Sequence, residues 1–230
     1  MTPDQPGIDK QLLSRLTHHI RNPFNGIIGF SDLLNHHFEK LHAEDVKNYV
    51  QIIHQLSKKA LLRSENLSWW LKSYTNNVHP IIQHMNLNEI VKEDLSYFNS
   101  EITKQELEIE LQEGSESLMV NADKVMLQNI IKNILLNIVE FTTPIELVTV
   151  QFKKTKTSSS VIFSNPFQEK VSNETLTYIQ NLKTSKVDIL QMPDHAGIWV
   201  MHLLCSSQKI KLDITANNGT FIVTLNFPNN

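Results

Sequence analysis

Apolar residues near the start of the chain repeat with a seven-residue period. Leu13, Ile20, Ile27 and Leu34 form one series, and Leu16, Pro23, Phe30 and His37 form a second, three residues further on. Two series in this phase trace the apolar seam of a bundle helix. With Leu13 at heptad position a, His18 and Asn25 fall at f and Asn22 at c, on the face turned away from the seam. Pro23 is expected to bend the helix one turn past His18. After a turn around Leu41 to Glu44, Val46, Ile53, Ala60, Leu67 and Tyr74 again repeat at seven, with Tyr49, Leu56 and Trp70 beside them. This predicts a second helix, antiparallel to the first. A hairpin of two such helices leaves a long apolar stripe best covered by a copy of itself, so a symmetric homodimer closing into a four-helix bundle is expected.

The pattern then changes. The run Asn76 to His84, with Pro80, reads as a linker. Residues 88–104 are expected to be helical; Leu107, Ile109 and Leu111 alternate with charged residues as a strand; and 121–141 is a strongly apolar helix. Val148, Val150 and Phe152 alternate, as do Val161 and Phe163, with Lys153 to Ser160 between them as a polar loop. Helices are predicted near 172–183 and 195–207. Ile210, Leu212 and Ile214 then lead through Asn217-Asn218-Gly219 into Phe221, Val223, Leu225 and Phe227, a closing hairpin with its turn residues in place. The fold class is therefore a helical hairpin followed by an α/β sandwich, with domains at 1–78 and 88–230 and a linker at 79–87. No internal repeat is visible.

Composition narrows the function classes. The 230 residues are 40% hydrophobic and 20% charged, enough to bury a sizeable core. A formal net charge of -3 gives no reason to expect nucleic acid or an anionic membrane as partner. The single cysteine, Cys205, fits a reducing compartment and reads as a small core residue. No run approaches the roughly 18 to 20 apolar residues of a membrane span, so a cytoplasmic protein is expected. His36, His37 and His42 straddle a helix end without a completing carboxylate or cysteine, so no metal site is assigned.

The stretch Thr17-His18-His19-Ile20-Arg21-Asn22-Pro23-Phe24, continuing through Asn25-Gly26-Ile27-Ile28-Gly29-Phe30-Ser31-Asp32-Leu33-Leu34, resembles the phosphoacceptor box of two-component sensor histidine kinases. That family reads roughly S-H-(E/D)-L-R-(T/N)-P-(L/F). The resemblance implies that His18 is phosphorylated, that Arg21 and Asn25 meet a receiver domain, and that Asn22 helps orient water for receiver dephosphorylation. A neutral imidazole nitrogen is a good nucleophile toward phosphorus, and the phosphoramidate passes its phosphoryl group readily to an aspartate. In the family an acidic residue after the phosphoacceptor takes the proton from the other ring nitrogen. Here that position is His19, which can accept a proton but carries no standing negative charge. The segment Glu65-Asn66-Leu67-Ser68-Trp69-Trp70-Leu71-Lys72-Ser73 is similar to the end of the family's second dimerisation helix. Because the chain begins almost at the phosphoacceptor helix, no sensor of its own is expected.

Most of residues 86–230 resembles the catalytic ATP-binding domain of the same family, an α/β sandwich. Asp123, Leu127, Gln128, Asn133, Asn137, Phe141 and Thr142 track the helix carrying the asparagine box. The resemblance makes Asn137 the residue that would hold magnesium, with Asn133 beside it, both as vestiges. Three residues after Asn137 the family usually has lysine, whereas this chain has Glu140. A carboxylate about 4 Å from a phosphate charge is unfavourable by roughly 4 kcal/mol at an effective dielectric near 20.

The glycine-rich segments that let backbone approach a nucleotide are also missing. The chain has six glycines, of which Gly114, Gly197 and Gly219 fall in this region. Where the adenine segment should stand it reads Ser164-Asn165-Pro166-Phe167-Gln168, with Asn165 for the aspartate. Where the lid should meet the phosphates it reads His195-Ala196-Gly197-Ile198-Trp199-Val200. The expectation is a phosphorelay protein that carries phosphoryl on His18 and exchanges it with receiver aspartates, without a nucleotide cofactor. The alternatives are an active cytosolic histidine kinase using Mg-ATP, and a non-catalytic receiver-binding module.

Overall fold

The computed structural model describes residues 10–114, 117–142, 144–166, 196–217 and 219–228. The described residues divide into two compact units, one reaching to Ser68 and the other beginning at Trp69.

In the first unit α1 spans Lys10–His37, with Pro23 inside it, and α2 spans Ala43–Tyr74, joined through a short 3-10 turn at Phe38–Lys40. The start of α2 is fixed by Asp45, whose carboxylate accepts from the His42 backbone N–H at 3.2 Å, and Glu44 and Asp45 place negative charge where the helix dipole favours it. Phe30 meets Tyr49 with ring centroids 5.5 Å apart, and Gly26 faces Leu56. Moving down α1 therefore means moving up α2, which makes the hairpin antiparallel.

Pro23, Ala60 and Leu62 are buried, whereas Ile20, Ile27, Phe30 and Leu34 of α1 and Val46, Tyr49, Ile53, Leu56 and Leu67 of α2 are half-buried. The seam read from the sequence is thus partly covered within one chain, and Phe24, Ile28, Leu33, Val50 and Leu61 stay exposed. The side chains of Leu13 and Leu16 lie outside the described residues. No described helix is long and apolar enough to cross a membrane.

The last residues of α2 group with the second unit, where Trp70 is buried. The helix ends in a Schellman arrangement: Asn76 adopts φ 51°, its N–H donates to the Ser73 carbonyl, and the Asn77 N–H donates to the Lys72 carbonyl at 2.9 Å.

The segment expected as linker contains a strand. β1 (Gln83–Asn86) pairs antiparallel with β3 (Met119–Ala122), so the α/β unit begins before residue 88. The helix expected at 88–104 is two, α3 (Leu87–Tyr97) and α4 (Asn99–Lys104). They break at Phe98, whose buried ring packs edge-on against Tyr97. The helix expected at 121–141 starts later as α5 (Lys124–Phe141), because Asp123 caps it by accepting from the Met126 N–H at 3.0 Å.

A five-stranded sheet runs in the order β2-β4-β5-β7-β6, from β2 (Glu108–Gln112), β4 (Leu147–Lys154), β5 (Ser158–Pro166), β6 (Lys211–Asn217) and β7 (Thr220–Pro228). The pair β2–β4 is parallel and the others are antiparallel. The polar loop expected between Lys153 and Ser160 is mostly strand, with a tight turn in which Thr155 Oγ1 accepts from the Ser158 N–H at 3.0 Å.

Register and side-chain alternation agree across the sheet. Leu111, Val150, Phe163, Val223 and Ile214 form one row, apolar and buried or half-buried; one residue on, Gln112, Gln151, Ile162, Thr224 and Asp213 form a mostly polar row on the opposite face. The apolar residues of α5 and of α6 (Ala196–Ser207) supply the other half of this core. The helix predicted near 172–183 lies outside the described residues.

Candidate functional site

His18 lies on α1 and is exposed, as are Arg21, Asn22 and Asn25. At 1.5 Å rise per residue, Asn22 sits about 6 Å and Asn25 about 10 Å along the axis from His18, one and two turns on. Arg21 and Asn22 flank the imidazole at the i+3 and i+4 positions. The helix presents this polar strip because Pro23 turns the other way and is buried. Pro23 has no N–H, so the backbone carbonyl of His19, directly after the phosphoacceptor position, loses its i+4 partner. The His19 side chain lies outside the described residues.

The second unit holds the other candidate residues. Asn129, Asn133 and Asn137 recur every four residues along α5. Asn133 is buried, and its Nδ2 donates to the Asn129 carbonyl at 2.9 Å and to Asn129 Oδ1 at 3.1 Å. Asn137 is half-buried and Glu140 is exposed. At the end of α5, Thr142 is buried and its Oγ1 accepts from Asn165 Nδ2 at 2.8 Å. Asn165 points inward because it stands two residues beyond Phe163 on the core face of β5. Its Oδ1 has no hydrogen-bond partner among the described residues. His195 lies outside the described residues, whereas Gly197, Ile198, Trp199 and Val200 form the first turns of α6. Among the described residues, no three His, Cys, Asp or Glu side chains come together as metal ligands.

Neither Asn129 nor the joining of Thr142 to Asn165 is among the site features expected from the sequence. The four-residue spacing could have found Asn129. The Thr142–Asn165 pair spans a sequence separation of 23 residues and had no local signal.

Residues 9–67 match the His Kinase A (phospho-acceptor) domain. His18 and its strip lie within that match. Over that stretch the chain is similar to the phospho-acceptor domain of histidine kinases. It is 25% identical over 141 residues to an uncharacterised sensor-like histidine kinase of Rhizobium meliloti (strain 1021), covering 61% of this chain and 27% of that protein. To the cell-division control histidine kinase PdhS of Brucella anthropi it is 24% identical over 135 residues, covering 58% of this chain and 13% of the relative. The chain therefore spans a small part of these relatives' length.

Its fold is that of solved histidine kinases. The Acinetobacter baumannii histidine kinase AdeS superposes with TM-score 0.62 at 14% identity, covering 93% of this chain and 98% of that one. The histidine kinase ThkA, solved in complex with the response regulator protein TrrA, superposes with TM-score 0.60 at 19% identity, covering 96% of this chain and 62% of that one.

Proposed function

We propose that this chain is a phosphorelay protein that takes phosphoryl on His18 from an aspartate of one receiver domain and passes it to another. The observation that carries this reading is a contrast between the two units. The strip His18, Arg21, Asn22 and Asn25 faces outward, whereas two of the polar groups expected at a nucleotide are bonded inward, Asn133 to Asn129 and Asn165 to Thr142.

Magnesium triphosphate calls for oxygen ligands and positive charge. The residues here offer an amide engaged within its own helix, an amide in place of a buried carboxylate, and the negative Glu140. Asn137 keeps the expected ligand position and is half-buried, but the set around it fits Mg-ATP poorly, and the proposed reaction has no step through it.

In that reaction the P–O bond of a receiver aspartyl phosphate breaks as an N–P bond to the His18 imidazole forms. The proton on the other ring nitrogen leaves, with His19 placed next in sequence as its acceptor. The reverse sequence delivers phosphoryl to the second aspartate. The response regulator bound to ThkA supports receivers as partners. The half-buried seam of α1 and α2 supports a homodimer closing a four-helix bundle, which we place in the cytoplasm.

The test is to mix the chain with receivers phosphorylated by a small-molecule donor, and separately with labelled Mg-ATP alone. Label on His18 from a receiver and none from Mg-ATP is the expected result. Label from Mg-ATP alone would establish an active kinase instead, and label from neither would leave a receiver-binding module.

A further inference from the structure

Asp94 is a buried ionisable group that phosphoryl exchange at His18 does not use. It lies on α3, only 1% exposed, on a helix whose Leu87, Ile90 and Val91 are also buried. Its Oδ2 has no hydrogen-bond partner among the described residues. An ionised carboxylate so placed is strongly disfavoured unless a cation comes to it. α5, which packs on α3, carries the two cations that act on Asp94, Lys132 and Lys124. Lys124 is engaged with Glu93 at 3.4 Å, and Glu93 is the acidic neighbour on Asp94's own helix. From α4, the other helix against α3, come Lys104 and Glu101, whose carboxylate accepts from the Ser100 hydroxyl at 2.7 Å.

Lys132 has a different partner. Its ammonium stands over the Tyr97 ring, 5.1 Å from the centroid. Tyr97 is three residues after Asp94, on the same side of α3. One cation of α5 thus faces two groups of α3 that can hold it, an aromatic ring and a carboxyl.

We propose that Asp94, Tyr97 and Lys132 form a proton-controlled latch between α3 and α5. With Asp94 protonated, no counter-charge is needed and Lys132 rests on the Tyr97 ring by cation–π attraction. When the proton leaves to solvent, the ammonium moves from the ring to the carboxylate. Burial, opposed by Lys132, pushes the Asp94 carboxyl up to about 7, which puts the changeover near neutral pH. Because the folded form holds the proton more tightly than the unfolded chain, the stability of this unit falls as pH rises from about 4 to 7. α5 also carries Asn129, Asn133 and Asn137 and ends at Thr142, so the latch bears on the helix that orders the second candidate site.

NMR of the full chain across pH 4 to 9 tests this. The Asp94 carboxyl carbon is expected to titrate with a midpoint near 7 and the Tyr97 ring resonances to shift with the same midpoint. Asp94→Asn should remove the step at Tyr97. Lys132→Met should also remove it and move the Asp94 midpoint higher. An Asp94 midpoint near 4 in the unaltered chain would overturn the proposal, as would a Tyr97 step that persists in Asp94→Asn. The first of these needs no variant to fold. None of these readouts depends on phosphoryl transfer at His18.

Discussion

The side-chain amide of Asn165 donates to the hydroxyl of Thr142 at 2.8 Å, tying the core face of β5 to the end of α5. Both residues are buried, so this bond has no water to replace it. Thr142→Val keeps the shape and removes the acceptor, leaving a buried amide N–H without its partner. The expected cost is about 1–3 kcal/mol of stability, read from chemical denaturation of the full chain. Thr142→Ser retains the hydroxyl and should recover most of the loss.

His18 is exposed on α1 and its removal takes away chemistry without removing core. His18→Gln is expected to abolish labelling by phosphorylated receiver while changing stability by no more than about 0.5 kcal/mol. Phosphotransfer assays and thermal melts on the same preparation check both halves. Residual labelling of the variant would place the phosphoryl group on another residue.

The hairpin helices were legible because their seam repeats at seven over a long run. The inward rows of the sheet were legible because Val148, Val150, Phe152, Val161 and Phe163 alternate strictly. What escaped was short or non-local. The strand Met119–Ala122 is four residues long and runs straight into the cap residue Asp123, so its apolar character merged with that of α5. β1 lay in a segment whose polarity and Pro80 read as linker, and its pairing with β3 across 33 or more positions leaves no local trace. The strip around His18 could be placed on a helix face from spacing alone. The inward turn of Asn133 and Asn165 could not, because it depends on which partner each amide finds.

Cys205 is 1% exposed within α6, and burial pushes its thiol up to about 12. The thiolate is the reactive form, and it is scarcely populated at neutral pH in this setting. A thiol reagent at pH 7.5 is expected to leave the folded chain unmodified over hours and to modify it once, rapidly, in denaturant. Mass spectrometry distinguishes the two. Fast modification under native conditions would mean that α6 opens readily.

Gly26 and Gly29 lie one turn apart on α1 and should respond differently to the same substitution. Alanine in a helix interior ordinarily gains about 0.8–1.0 kcal/mol over glycine. At Gly29 an added Cβ meets nothing within 4 Å, so Gly29→Ala should realise that gain. At Gly26 the added Cβ would stand 2.6 Å from Leu56 Cδ1, forcing the leucine off its seat between the helices. Overpacking of this kind costs about 1–3 kcal/mol, enough to cancel or reverse the propensity gain. Gly26→Ala is therefore expected to be neutral or destabilising. In a Leu56→Ala background the clash is absent, and the same change should become favourable. A double-mutant cycle on melting of the hairpin measures the coupling, and additive effects at positions 26 and 56 would show that the two helices are not in this register.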